Sequence, residues 1–141
     1  MFTLAIIKPD AVAAGKMGAI LAHLEREGFV VRAARFARLS RGEAEAFYEV
    51  HKERPFYQSL VGFMTSGPCF PMVLEREDAV VRLRTVIGAT DPAEAEEGTV
   101  RRLYAENKER NAIHASDSPD NARHEVSFFF PEGELRGLWA S

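Results

Sequence analysis

His114 stands in the segment Asn111-Ala112-Ile113-His114-Ala115-Ser116-Asp117, among small and polar residues rather than on an apolar helix face. A neutral imidazole is a competent nucleophile toward phosphorus near neutral pH, because its ordinary pKa is about 6.5. Such a nucleophile needs a partner to fix its tautomer. Glu125 falls on the following expected helix, about two turns beyond Ser118, where it can turn back and hold one ring nitrogen. Ser116 can hydrogen-bond nearby. Phosphate chemistry also needs cations. The chain carries 18 Lys and Arg, most of them Arg, whose forked guanidinium suits phosphate oxygens. It has no G-x-x-x-x-G-K-[ST] loop and no G-x-G-x-x-G after a strand, the usual backbone cradles for phosphate. Any phosphates must therefore be held by side chains.

The rest of the composition bounds the reading. A length of 141 residues suits one domain spanning 1–141. At 46% hydrophobic and 28% charged, the chain can build a core without staples. A formal net charge of -3 gives no global pull toward nucleic acid or anionic membrane. Cys69 is the only cysteine, so an intrachain disulfide is impossible, which fits a reducing compartment. The start, Met1-Phe2-Thr3-Leu4, lacks a basic n-region, and Lys8, Pro9 and Asp10 soon interrupt the apolar run. Neither a signal peptide nor a membrane span is expected, and the expected address is the cytoplasm.

Hydrophobic spacing supplies the elements that must carry these residues. Thr3 to Lys8 reads as a buried strand stopped by Pro9. Met17, Ile20, Leu21 and Leu24 form one helical face, closed by Gly28 at a C-cap position. Phe29 to Leu39 reads as a second strand. Ser40 and Glu43 form a capping-box pattern, with a helix running to about His51. After Pro55 a second helical face carries Phe56, Leu60, Val61 and Met64. Cys69 to Leu74 reads as a third strand, at an edge or a bulge because of Pro71. Asp78 to Ile87 reads as a helix with Ala79, Leu83 and Val86 inward. Gly88 to Gly98 is an acidic loop, and Thr99 to Asn111 holds one helical turn followed by loop. Ala112 to Ser116 makes a short fourth strand. Ser118-Pro119 starts a last helix, with Ala122, Val126 and Phe129 inward and Pro131 at its end. The order implies an α+β sandwich of the split βαβ type.

Several motifs, in order, carry a family resemblance from Thr3 to about Leu135. They are Ala5-Ile6-Ile7-Lys8-Pro9-Asp10; Phe47-Tyr48; Arg54-Pro55-Phe56-Tyr57; Phe63-Met64-Thr65-Ser66-Gly67-Pro68; Gly88-Ala89-Thr90-Asp91-Pro92; Gly98-Thr99-Val100-Arg101; and Asn111 to Asp117, which resembles N-x-x-H-G-S-D. Together they resemble the nucleoside diphosphate kinases, especially the short-tailed bacterial members. The resemblance implies a ferredoxin-like fold: a four-stranded antiparallel sheet with helices on one face, a helical-hairpin insertion and a long substrate loop. It also implies ping-pong transfer of a γ-phosphoryl group from a nucleoside triphosphate to a diphosphate through His114. Lys8 and Tyr48 would attend the reacting phosphoryl, with Glu125 and Ser116 in the catalytic set. Lys8 would also meet the ribose 3′ hydroxyl. Arg84, Thr90 and Arg101 would bind phosphates, Asn111 the sugar, and Phe56 the base, with Leu60 beneath. Leu60 would serve the core as well. Stacking tolerates base identity, so broad base and sugar specificity is expected. Mg²⁺ would arrive on the nucleotide, with no protein ligand and with Asp117 near its hydration shell. A homo-oligomer is implied, a tetramer or hexamer built from dimers. Trp139, near the end of the chain, would pack on a neighbour or stay free. No membrane or nucleic acid is required.

Two positions depart from the pattern. Ala115 stands where the family has glycine. A positive φ there would strain alanine by roughly 1 kcal/mol or more, whereas an extended backbone would accept it. Arg102 replaces a small residue and would serve a phosphate or the surface. Two other functions fit the fold class: an inactive relative, and a nucleotide- or RNA-binding module. An RNA reader wants aromatic pairs on central strands, but Phe128, Phe129 and Phe130 cluster at a helix end. An inactive relative should lack a catalytic group, and none is missing here.

Overall fold

The computed structural model describes residues 1–137; Trp139 lies outside the described residues. Strand β1 (Phe2–Ile7) is buried along its whole length. Leu4 and Ile6 join one apolar cluster, and Ala5 and Ile7 join another on the opposite face. A strand covered on both faces has no reason to alternate with polar residues, so the segment reads as a continuous apolar run. Lys8 is not part of the strand: it precedes a short helix, α1 (Pro9–Ala13). Pro9 therefore begins a helix as well as ending a strand, since the first helical position needs no N–H.

Helix α2 (Met17–Arg26) buries Ile20 and Leu24 and leads to strand β2 (Val30–Ala34). This strand is shorter than the apolar content of 29–39 suggests. Its pairing shifts at Arg32, and beyond Ala34 only an isolated Ala37–Cys69 bridge remains. Helix α3 (Arg41–Phe47) starts at the expected capping box of Ser40 and Glu43. It gives way to a 3₁₀ turn (Glu49–His51) and then to α4 (Tyr57–Met64). Strand β3 (Phe70–Glu75) is followed by α5 (Ala79–Ile87), whose Ala79, Leu83 and Val86 are all buried. The single helical turn expected after Thr99 is α6 (Val100–Tyr104). Strand β4 (Ile113–Ala115), α7 (Pro119–Phe129) and a short α8 (Glu132–Leu135) complete the described chain. Pro131 stops α7 and stands at the N-cap of α8.

The sheet order is β2-β3-β1-β4, with every neighbouring pair antiparallel. This is the four-stranded antiparallel arrangement of two interleaved split βαβ units. The crossover helices α2 and α5 pack on one face. The expectation of helices on one face holds for that pair only: the other face is covered as well, by α3, α4 and α7, through Ala44, Val61, Met64, Val126 and Phe129. Pro71 is not at an edge, because β3 lies inside the sheet. Its carbonyl accepts from the Arg35 N–H. Its missing donor faces the same side, just where regular pairing with β2 has ended, so it costs no regular ladder bond.

Candidate active site

Central strand β1 delivers Lys8 at its C-terminal end, and neighbouring β4 delivers His114. The remaining groups come from the end of α3, from α4 and the residue that caps its start, from α5, α6 and α7, and from the loops that carry Thr90 and Asn111. They surround a cleft of about 960 Å³ lined by Lys8, Tyr48, Phe56, Leu60, Arg84, Thr90, Arg101, Asn111, His114 and Glu125 among others. Every expected site residue is in that lining except Ser116.

At the floor, His114 Nε2 meets Glu125 Oε1 at 2.8 Å, and the Ser116 hydroxyl donates to the same oxygen at 2.7 Å. Ser118 caps α7 by accepting from the Asn121 N–H, which fixes where that helix starts and hence where Glu125 reaches. Burial pushes the Glu125 carboxyl up, but hydrogen bonding and charge from His114, with the Ser116 hydrogen bond, outweigh it. The net pKa lies below the ordinary 4.5. An ionised Glu125 keeps the proton on Nε2 and leaves the Nδ1 lone pair free. Ser116 is fully buried behind the cleft; it positions Glu125 and is not in place to touch a ligand. The imidazole is packed edgewise by Phe47 (5.4 Å between centroids) and Tyr48 (6.1 Å).

Lys8, Arg84 and Arg101 line the cleft together with His114. Lys8 Nζ donates to Asn111 Oδ1 at 2.8 Å. Burial, then repulsion from Arg101, pulls its ammonium down to about 8. Arg101 donates to the carbonyls of Ile113 (2.7 Å) and Gly88 (3.0 Å). Burial, then Arg84, brings it down to about 10, so it remains a cation at neutral pH. Arg84 reaches the Ala115 carbonyl at 3.4 Å. Asn111 Nδ2 donates to the Thr90 carbonyl at 3.3 Å, tying the loop after α5 to the site. The Tyr48 hydroxyl is buried and finds no partner among the described residues. Burial drives its pKa far upward, so it stays a protonated donor. Phe56 is 46% exposed at the rim, tilted against His51 at 5.4 Å. Leu60 lies beneath, in the core and in the cleft lining at once. Arg102 turns away, toward the carbonyls of Pro92 and Ala93.

Ala115 lies in β4 with an ordinary backbone. The positive φ falls instead at Ala112, +74°. Its neighbours explain why: Ile113 N–H donates to the Asn111 carbonyl, closing a three-residue γ-turn. Sequence reasoning assigned no role to Asp10, whose carboxylate accepts from the Ala112 N–H, nor to His51, Lys108, Asn121 and His124, which also line the cleft. The available signal for Asp10 was its place in the Lys8-Pro9-Asp10 run. Among the described residues, no group of three His, Cys, Asp or Glu is placed to hold a metal ion.

Comparisons with known proteins agree on one family. The family model described as nucleoside diphosphate kinase matches residues 2–135. A nucleoside diphosphate kinase of Chlorobaculum parvum is 56% identical over 133 residues, covering 94% of this chain and 95% of that protein. One from Halorhodospira halophila is likewise 56% identical, covering 94% of each. Among solved structures, the Aquifex aeolicus nucleoside diphosphate kinase superposes with a TM-score of 0.92 at 46% identity, covering 94% of this chain and 96% of that one. A halophilic nucleoside diphosphate kinase from Halobacterium salinarum, solved in complex with CDP, gives 0.91 at 38% identity, covering 95% and 90%.

Proposed function

The chain belongs to the nucleoside diphosphate kinase family and is a phosphotransferase, and we propose that His114 carries the phosphoryl group. The observation behind this reading is the Ser116–Glu125–His114 hydrogen-bond chain opening into a cleft lined by Lys8, Arg84 and Arg101. In the first half-reaction, His114 Nδ1 forms a bond to the γ-phosphorus of a nucleoside triphosphate. The bond to the β–γ bridging oxygen breaks, and the diphosphate leaves with that electron pair. In the second, a β-phosphate oxygen of another diphosphate attacks, and the P–N bond returns its pair to Nδ1. Glu125 holds the Nε2 proton throughout and balances the positive charge on the ring.

Lys8, Arg84, Arg101, the Thr90 side chain and the Tyr48 O–H bind the phosphates, the cations neutralising charge that spreads over the equatorial oxygens. Lys8 and Asn111 take the sugar hydroxyl. Phe56 stacks on the base over Leu60, with a tolerance for base identity that accords with the CDP complex of the Halobacterium relative. Mg²⁺ enters as part of the nucleotide, held by phosphate oxygens and water. Asp117 at the cleft stands near its hydration shell. We read the whole chain as one cytoplasmic domain assembling as a tetramer or hexamer of dimers, with β2 offering an edge for pairing. Among the described residues, no helix is long and apolar enough to cross a membrane.

The test is to incubate the protein with γ-labelled ATP and Mg²⁺ without acceptor. Label should remain on the chain, resist alkali, be lost in mild acid, leave on addition of GDP or CDP, and be absent in His114→Ala. A folded wild-type protein that takes no label overturns the reading.

A further inference from the structure

Ala112 is fully buried and sits at φ +74°, in a γ-turn that alanine adopts only under strain. Strain of this kind persists only where the surroundings hold it in place. Both main-chain polar groups of Ala112 leave the turn and meet one short segment. Its N–H donates to Asp10 Oδ2 at 3.1 Å, and its carbonyl accepts from the Lys8 N–H at 2.8 Å. The turn is flanked by Asn111, bound to Lys8 Nζ, and by Ile113, which leads directly to His114.

We propose that Asp10 is a positioning residue: its carboxylate, together with the Lys8 main-chain N–H, clamps the strained turn at Ala112 and so holds Asn111 and His114 in register with each other. Asp10 is not in the cleft lining and acts through Ala112. It is the second residue of α1, 6% exposed, and its Oδ1 has no partner among the described residues. A carboxylate buried with one oxygen unsatisfied is costly. Burial raises its pKa, against the hydrogen bonds from the Ala11 and Ala112 N–H groups and the charges of Lys8 and Arg110. Removal of the carboxylate would leave the Ala112 N–H buried and unpaired. The turn would then relax and carry both neighbours with it. A misplacement of about 1 Å is enough to slow a reaction on the order of a hundredfold.

This inference rests on the phosphohistidine reading, and its test separates the two. The rate of label transfer from saturating γ-labelled ATP and Mg²⁺ is measured in a single turnover. The proteins are wild type, Asp10→Ala, Asp10→Asn, Ala112→Gly and the Asp10→Ala/Ala112→Gly double variant, each checked for folding by circular dichroism. Asp10→Ala should label at least about tenfold more slowly. Asp10→Asn keeps an acceptor oxygen and should stay within about threefold of wild type. Ala112→Gly accepts positive φ without strain; it should change little alone and restore most of the rate in the double variant. A folded Asp10→Ala labelling at the wild-type rate overturns the proposal. So does an Asp10→Asn as slow as Asp10→Ala, or a double variant without recovery. If Asp10→Ala does not fold, Asp10→Asn and the double variant decide. If the wild type takes no label, the His114 reading fails. The clamp is then judged by amide exchange at Ala112, where protection lost in the double variant but kept in Asp10→Asn upholds it and protection kept in both overturns it.

Discussion

Raising the pH should make the ligand-free protein more stable and a poorer enzyme at once, and Lys8 is the reason. The residue is 6% exposed, and burial with Arg101 beside it brings its pKa from 10.5 to about 8. Between those values the unfolded chain binds a proton that the folded chain does not. Stability therefore rises with pH across this window: the penalty for burying the charge is full below pH 8 and gone above 10.5. The gap corresponds to about 3 kcal/mol, of which about 2 kcal/mol is recovered by pH 10. Measurement should stop there, because Arg101, brought down to about 10, loses its proton around that pH and acts in the same direction. Activity runs the other way. Loss of the Lys8 proton removes a cation from the phosphoryl site, so kcat/KM should fall about tenfold per pH step above 8. A bound nucleotide favours the charged lysine, which moves the alkaline limb of kcat to higher pH than that of kcat/KM. Urea unfolding of wild type and Lys8→Met from pH 7 to 10, beside initial rates of the wild type, tests both arms. Parallel stability curves for the two proteins, or a kcat/KM flat to pH 10, would refute the reasoning.

Other perturbations separate the parts of the site. Glu125→Gln keeps an oxygen for Nε2–H but loses the charge, a difference of about 1–1.5 kcal/mol; phosphohistidine formation should slow about tenfold in a single-turnover assay. Because the Glu125 pKa lies below its ordinary 4.5 in the folded state, its ionised form stabilises the fold above that value, and this stability is lost as pH falls through the folded value; Glu125→Gln should flatten the acid limb of a stability–pH curve. Gly88→Ala should cost about 2 kcal/mol or more, read by thermal unfolding. Gly88 has φ +89°, and a Cβ there would lie 2.6 Å from Thr99 Oγ1; nucleotide KM should rise as well, because Arg101 leans on the Gly88 carbonyl. Ala115→Gly should destabilise by about 0.5–1 kcal/mol, since Ala115 is an extended strand residue; a gain in urea midpoint would contradict that.

The part of the site that could be read from sequence is the local part. His114, Ser116 and Glu125 lie within one strand–cap–helix unit, and Ser118-Pro119 announces the helix that brings Glu125 back. The capping box at Ser40 placed α3 in the same way. What could not be read depends on partners far along the chain. Lys8 and Asn111 are 103 positions apart, and only the β1–β4 pairing joins them. The strain considered at Ala115 sits at Ala112, whose N–H and carbonyl pair with Asp10 and Lys8, contacts that no local pattern reveals. The extent of β2 was misjudged for a related reason: residues 29–39 have strand composition, but after the irregularity at Arg32 the partner strand holds them only as far as Ala34.

The absence of a glycine-rich loop has a structural counterpart. A backbone cradle presents N–H groups that are rigid by construction, whereas long cationic side chains must be immobilised before they can match it. Here the immobilising groups are main-chain carbonyls of β4 and of the loop after α5. Gly88 and Ile113 hold the two ends of the Arg101 fork, Ala115 receives Arg84, and the Thr90 carbonyl steadies Asn111, which in turn fixes Lys8. Two of these carbonyls belong to β4, the strand that also carries His114. Arg84 and Arg101 are therefore referenced to the same strand as His114, and Lys8 is tied to it through Asn111, just before β4 begins. That arrangement supplies orientation before the nucleotide arrives. It also makes the entry to β4, the Asn111–Ile113 turn, the place where a small backbone change would be felt by both halves of the site.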